Sequence, residues 1–147
     1  MQEIKGDLLK MASDGEFDII IHGCNCQHTM GAGIAGQLRK WPEVYEADLK
    51  TPRGSDKLGC FSHATISREG HRPFTVINAY TQEWPGKDLR EWAMASALIR
   101  VAQSYPLEKI GMCKIGAGIA GGDWNDLKKM VEVNFKDIDL TVVEYQV

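Results

Sequence analysis

Residues 17–36 read FDIIIHGCNCQHTMGAGIAG. The first half holds a continuous apolar run of strand length, set between Gly15 and Gly23. Such a run suits a central strand covered on both faces. The second half ends in a hexapeptide, GAGIAG at 31–36, that recurs unchanged at 116–121. The flanks differ: QHTM and QLRKWP around the first copy, MCKI and GDWNDL around the second. They give no sign of an internal duplication. Both copies follow an apolar strand and stand at or just before a helix. In open α/β sheets, ligands sit beyond the carboxyl ends of strands. Glycine leaves no Cβ between peptide N–H groups and a ligand, and helix N-termini add oriented donors. Two such loops at one sheet edge are read as gripping a diphosphate from both sides. The plainer alternative is that the glycines only permit strand-to-helix turns. No GK[ST] follows either copy, so neither is a P-loop; the dinucleotide fingerprint is set aside as well.

Working outward, QEIKGDL is a short strand entering a turn at Gly6-Asp7. IAGQLRKW has helical character and stops before Pro42, and EVYEADLK is a second helix. TPRGSDK is loop. GCFSHATI and FTVINAY alternate as strands and are joined by the polar turn SREGHRP, with TQEWPGKD a further loop. LREWAMASALIRVAQSY carries apolar residues at helical spacing and is followed by Pro106. KIGMCKI is a strand, DWNDLKKMVEVNF a helix, and DLTVVEYQ a last strand. Strands and helices alternate around a central β-pair. The expected fold is a single α/β domain over 1–147, with three layers, α/β/α, and a central mixed sheet.

The 147 residues suffice to bury a core. The formal net charge of −3 gives no general pull toward nucleic acid or an anionic membrane. No leader and no long apolar run is present, so a soluble cytoplasmic monomer is expected. The four cysteines, Cys24, Cys26, Cys60 and Cys113, form no CxxC and read as free thiols. His22, Cys24, Cys26 and His28 alternate and are zinc-ligand types. Along an extended strand they spread too far to converge on one ion, so no metal is assigned. No cofactor is expected.

Three segments together carry a family resemblance. KGDLL at 5–9, DIIIHGCNC followed by MGAGIAGQL and Pro42, and IGAGIAGGDW at 115–124 resemble the macro domain, an ADP-ribose-binding α/β module. The likeness covers nearly the whole chain. Within that family it is most similar to the branch of yeast-type ADP-ribose 1''-phosphate phosphatases and terminal ADP-ribose glycohydrolases. The glycohydrolases use a lysine in a loop reading roughly TK. The corresponding loop here is NAYTQ, so Gln82 stands in the lysine's place, and glutamine cannot form the covalent adduct an amine can.

The resemblance implies a ligand site made of Asp7, Leu8, Gly31, Ala32, Gly33, Ile34, Ala35, Gln82, Gly116, Ala117, Gly118, Ile119, Ala120 and Trp124. It gives Asp7 the adenine amino group, and the other reading is a turn aspartate. It sets Asn25 against the distal ribose; otherwise Asn25 is a turn-capping amide. It makes His22, at the end of the apolar strand, the group that activates water or protonates a leaving oxygen; the alternative is a satisfied core histidine. Asp123 is counted with the catalytic set, although with Asp126 it also reads as a helix cap. Trp124 walls the ribose end or staples the helix; Tyr145 packs on adenine or is only an edge-strand tyrosine. The expected activity is hydrolysis of ADP-ribose 1''-phosphate to ADP-ribose and phosphate. The alternatives are a lysine-independent ADP-ribosyl hydrolase acting on modified protein or nucleic acid through Asp123, and a non-catalytic ADP-ribose binder.

Overall fold

A computed structural model of the chain describes residues 1–146. The strands are β1 (Gln2–Gly6), β2 (Ile19–Cys24), β3 (Phe61–Ile66), β4 (Phe74–Tyr80), β5 (Ile110–Met112) and β6 (Leu140–Tyr145). The helices are α1 (Leu8–Ser13), α2 (Gly33–Gln37), α3 (Pro42–Leu49), α4 (Glu91–Ser104) and α5 (Trp124–Asn134). One six-stranded sheet runs in the order β1-β6-β5-β2-β4-β3. Every neighbouring pair is parallel except β3 with β4. The sheet is therefore mixed, as expected.

The apolar run of β2 explains its central place. Ile19 and Ile21 face one core with Met94, Leu98 and Val101 of α4 and Leu127 and Val131 of α5. Ile20 and Cys24 face the other with Leu8, Leu9 and Ala12 of α1 and Val44 of α3. Helices thus cover both faces, and the chain has the three-layer α/β/α architecture.

Several elements differ from the sequence reading. α1 was not expected: it is only six residues long, too short to show a helical period. Asp7 starts it, accepting the Lys10 backbone N–H at 3.2 Å. The segment IAGQLRKW is not one helix; α2 spans five residues and a 3₁₀ turn, Leu38–Lys40, follows. KIGMCKI contributes just three residues to β5. TPRGSDK contains a 3₁₀ turn, Ser55–Lys57, with Lys57 buried. Among the described residues, no helix is long and apolar enough to cross a membrane.

Candidate functional site

β2 and β5 lie side by side in parallel, β5 ending opposite Ile21 and β2 running on to Cys24, so the chain segments after them open at the same end of the sheet. A cleft of about 550 Å³ lies there. Its walls include Gly31 to Ala35 from the first hexapeptide and Gly116, Gly118, Ile119 and Ala120 from the second. The two loops meet across it: a Cβ on Gly33 would stand 3.8 Å from Ile119 Cδ1. Gly116 has φ +79, a left-handed turn that takes the chain out of β5, and a Cβ there would stand 2.9 Å from Leu89. Gly31 and Gly118 differ: a Cβ on either meets nothing within 4 Å.

Each hexapeptide does have G-x-G-x-x-G spacing, contrary to the sequence reading that set the dinucleotide fingerprint aside. The surrounding structure is not that fingerprint's. The helix behind the first loop is five residues long, and α5 begins only at Trp124, beyond a further turn.

Asn25 and Gln82 line the cleft, but their side chains are engaged. Asn25 Nδ2 donates to Thr29 O and Oγ1 at 3.1 and 2.9 Å, and Oδ1 accepts the Gln27 N–H at 2.8 Å. It shapes the approach to the first glycine loop. Gln82 Nε2 donates to the carbonyls of Trp84 and Gly86 at 2.6 and 2.9 Å, closing the turn that forms another wall.

Catalytic Asp123 and several of the expected ligand-binding residues lie off the wall. Asp123 is exposed and caps α5, accepting the Asn125 N–H at 2.8 Å. Trp124 donates from Nε1 to Glu3 at 2.8 Å. Asp7 caps α1, Leu8 is buried in the core, and Ala117 is not among the residues of the cleft wall. Tyr145 is exposed on β6.

His22 is the main departure from expectation. It is 1 % exposed, under the cleft floor rather than in it. Position 22 points to the α1/α3 face of β2, as do Ile20 and Cys24. Its Nε2 lies 2.5 Å from Asn78 Oδ1. Asn78 Nδ2 donates to Val44 O and Ser62 Oγ, which fixes the amide's orientation and makes Nε2 the protonated nitrogen. Burial holds the imidazole down at about 4, so it is neutral at pH 7.

That burial has a measurable consequence. Between pH 6.5, the usual histidine value, and about 4, the unfolded chain binds the extra proton and the folded one does not. Stability is therefore complete above pH 6.5 and falls as pH drops toward 4. Denaturant melts at pH 7 and pH 4.5 are expected to differ by about 2–3 kcal/mol. His22→Gln should flatten that window.

The titratable groups that do reach the wall are Cys24, Cys113 and Lys114. Burial pushes the Cys24 thiol well up and Cys113 to about 12, so both are protonated and poor nucleophiles. Lys114 supplies the cation that sequence reading missed. It follows β5, and its ammonium pairs with Glu144 of β6 at 3.4 Å. Nothing in its local pattern distinguishes it from a surface lysine; its placement comes from β6 pairing beside β5. Among the described residues, no three His, Cys, Asp or Glu side chains are grouped to hold a metal.

Residues 21–131 match the sequence profile of the Macro domain, from within β2 through both glycine loops to most of α5. The chain belongs to the macro domain family. One relative is a 17.5 kDa protein from the tk-vs intergenic region of phage T4, 35% identical over 150 residues, covering 97% of this chain and 95% of that protein. DNA ADP-ribosyl glycohydrolase of Mycobacterium tuberculosis is 31% identical over 147 residues, 95% of this chain but 40% of that longer protein. ADP-ribose 1''-phosphate phosphatase of Saccharomyces cerevisiae is 25% identical, covering 96% of both. The solved macrodomain of Mycobacterium tuberculosis DarG superposes with a TM-score of 0.76 at 26% identity, covering 100% of this chain and 99% of that one. The macro domain relatives with named activities are thus a glycohydrolase and a phosphatase, both hydrolases.

Proposed function

We propose that the cleft binds ADP-ribose and that the protein hydrolyses ADP-ribose 1''-phosphate to ADP-ribose and phosphate. The observation that carries this reading is the facing pair of glycine loops beyond β2 and β5, so close that a Cβ on Gly33 would touch Ile119. A diphosphate between them meets backbone N–H groups from two sides. The same donors stabilise charge developing on the phosphoryl oxygens as water attacks phosphorus and the ribose oxygen departs. Lys114 lines the wall while its ammonium pairs with Glu144. His22, expected to be catalytic, is instead a positioning residue that ties β2 to β4 through Asn78. No side chain on the wall is set up as a strong general acid or base, which makes turnover slow.

A second reading, release of ADP-ribose from a modified macromolecule, is favoured by the likeness to the mycobacterial glycohydrolase. Gln82 departs from that family's lysine chemistry, so cleavage here relies on an activated water. Calorimetric titration with ADP-ribose, followed by phosphate release from ADP-ribose 1''-phosphate in the same preparation, tests both. Binding with phosphate release is the expected result. Binding without release leaves the second reading, or a pure binder; no binding overturns the assignment of the cleft.

A further inference from the structure

β4 flanks β2 on the side away from β5, and Thr81 follows it, one residue past the Cys24–Tyr80 pair. Its backbone is fixed at both ends. The N–H donates to the Cys24 carbonyl at 3.1 Å, and the carbonyl accepts the Arg90 N–H at 2.9 Å. Thr81 lines the cleft yet is only 1 % exposed. Among the described residues its hydroxyl makes no hydrogen bond, and Asn134 Nδ2 is the one side-chain polar atom both unpartnered and sealed from solvent. The Thr81 oxygen is therefore open to the cleft. A polar group this deeply set and without a partner calls for a reason.

The other polar side chains of the wall are committed elsewhere. Asn25 and Gln82 hold their own turns, Thr29 Oγ1 accepts from Asn25 Nδ2 at 2.9 Å, and Lys114 pairs with Glu144. Gly23 gives a ligand its way to the free hydroxyl. A Cβ there would stand 3.0 Å from both Thr81 Oγ1 and Ile115 Cγ2. Gly23 has no positive φ, so no turn requires a glycine at this point of β2. What the missing side chain provides is room beside the hydroxyl.

The surroundings name the group that fits. The turn closed by Gln82 walls this side of the cleft, so the group beside Thr81 is an end of the ligand. The two ends of ADP-ribose are adenine and the distal ribose. No aromatic side chain lines the cleft, so a base has no face to stack on. A hydroxyl donates and accepts at once, and another hydroxyl answers both without burying charge. We infer that the Thr81 hydroxyl holds a hydroxyl of the distal ribose and sets the preference of the cleft for ADP-ribose over ADP. The inference rests on the reading of the cleft as an ADP-ribose site. It gives Thr81 the place against the distal ribose that was expected of Asn25.

Calorimetry with ADP-ribose and with ADP, on the parent protein and two variants, tests it. Thr81→Val keeps the branched shape and removes the hydroxyl, whereas Thr81→Ser keeps the hydroxyl. Thr81→Val is expected to weaken ADP-ribose about threefold to tenfold, the size of one hydrogen bond, and to leave ADP unchanged. Thr81→Ser should stay within about twofold of the parent for both ligands. Thermal melts of Thr81→Val should not fall, since the group removed has no partner in the protein. ADP-ribose affinity indifferent to Thr81→Val overturns the inference and leaves the cleft assignment standing. An equal loss for both ligands, or a loss in Thr81→Ser as large as in Thr81→Val, also overturns it, because the effect then comes from packing. A parent protein that binds neither ligand overturns the cleft assignment and the inference with it.

Discussion

Gly118→Val is expected to leave the protein folded and to weaken ADP-ribose binding by about tenfold to hundredfold. The position lies on the cleft wall, and a Cβ there meets nothing within 4 Å. The new side chain therefore displaces no protein atom. It takes volume from the ligand and lifts the diphosphate off the backbone donors, a steric cost of about 1–3 kcal/mol. Gly31→Val, on the facing loop, should do the same for the same reason. Gly122→Val serves as the contrast. Its Cβ would stand 2.6 Å from the Gly116 carbonyl oxygen, so it loses stability along with binding. Calorimetry with thermal melts separates the two cases. Unchanged affinity in both Gly118→Val and Gly31→Val would show that the ligand does not run between the loops.

Lys57→Met is expected to destabilise the fold by about 3–5 kcal/mol, because it strands a buried carboxylate. Asp48 is 1 % exposed and Lys57 6 %. The Lys57 ammonium lies 3.5 Å from Asp48 Oδ1, donates to Thr51 Oγ1 at 2.8 Å, and sits 4.4 Å over the Tyr80 ring. Tyr80 donates its hydroxyl to Asp48 Oδ1 at 2.7 Å, and Ser62 lies 2.8 Å from the same hydroxyl. Remove the ammonium, and only the phenol remains to face the charge. A loss of this size is a large fraction of the 5–15 kcal/mol typical of a domain. Denaturant unfolding measures it. Asp48→Asn combined with Lys57→Met should recover much of the loss, since no unpaired ion is then buried. The cluster also reaches the cleft. Thr51 accepts from His28 Nε2 at 2.7 Å through its carbonyl, and His28, with φ 59, makes the bend that leads into the first glycine loop.

Much of this molecule is legible in its sequence, and the limits are physical. The run around Ile19–Ile21 announces a doubly covered strand because both of its faces must be apolar. α4 shows its period over fourteen residues, whereas α1, at six, has no room to show one. The two hexapeptides mark the cleft because the need for clearance is written in residue type. Direction of side chains is harder. His22 ends an apolar strand, which is where a catalytic histidine stands, yet the alternation of β2 turns it toward Asn78 and the core. Asn25 and Asp123 were read as either turn or site residues, and local backbone bonds occupy both. Lys114 is tied to Glu144, thirty residues on, and Lys57 to Asp48 across a loop with no regular spacing, so no local signal marks either.

The strand order has a consequence for the making of the protein. β6, formed by residues 140–145, lies between β1 at the other end of the chain and β5. During synthesis β1 emerges first and waits through well over a hundred residues for its only neighbour. Until β6 arrives, β5 holds the sheet by one side alone, through three residues beside β2. The second glycine loop hangs from that short strand. The cleft is thus assembled last, and losing the final strand unmakes it even though no residue of that strand lines its wall.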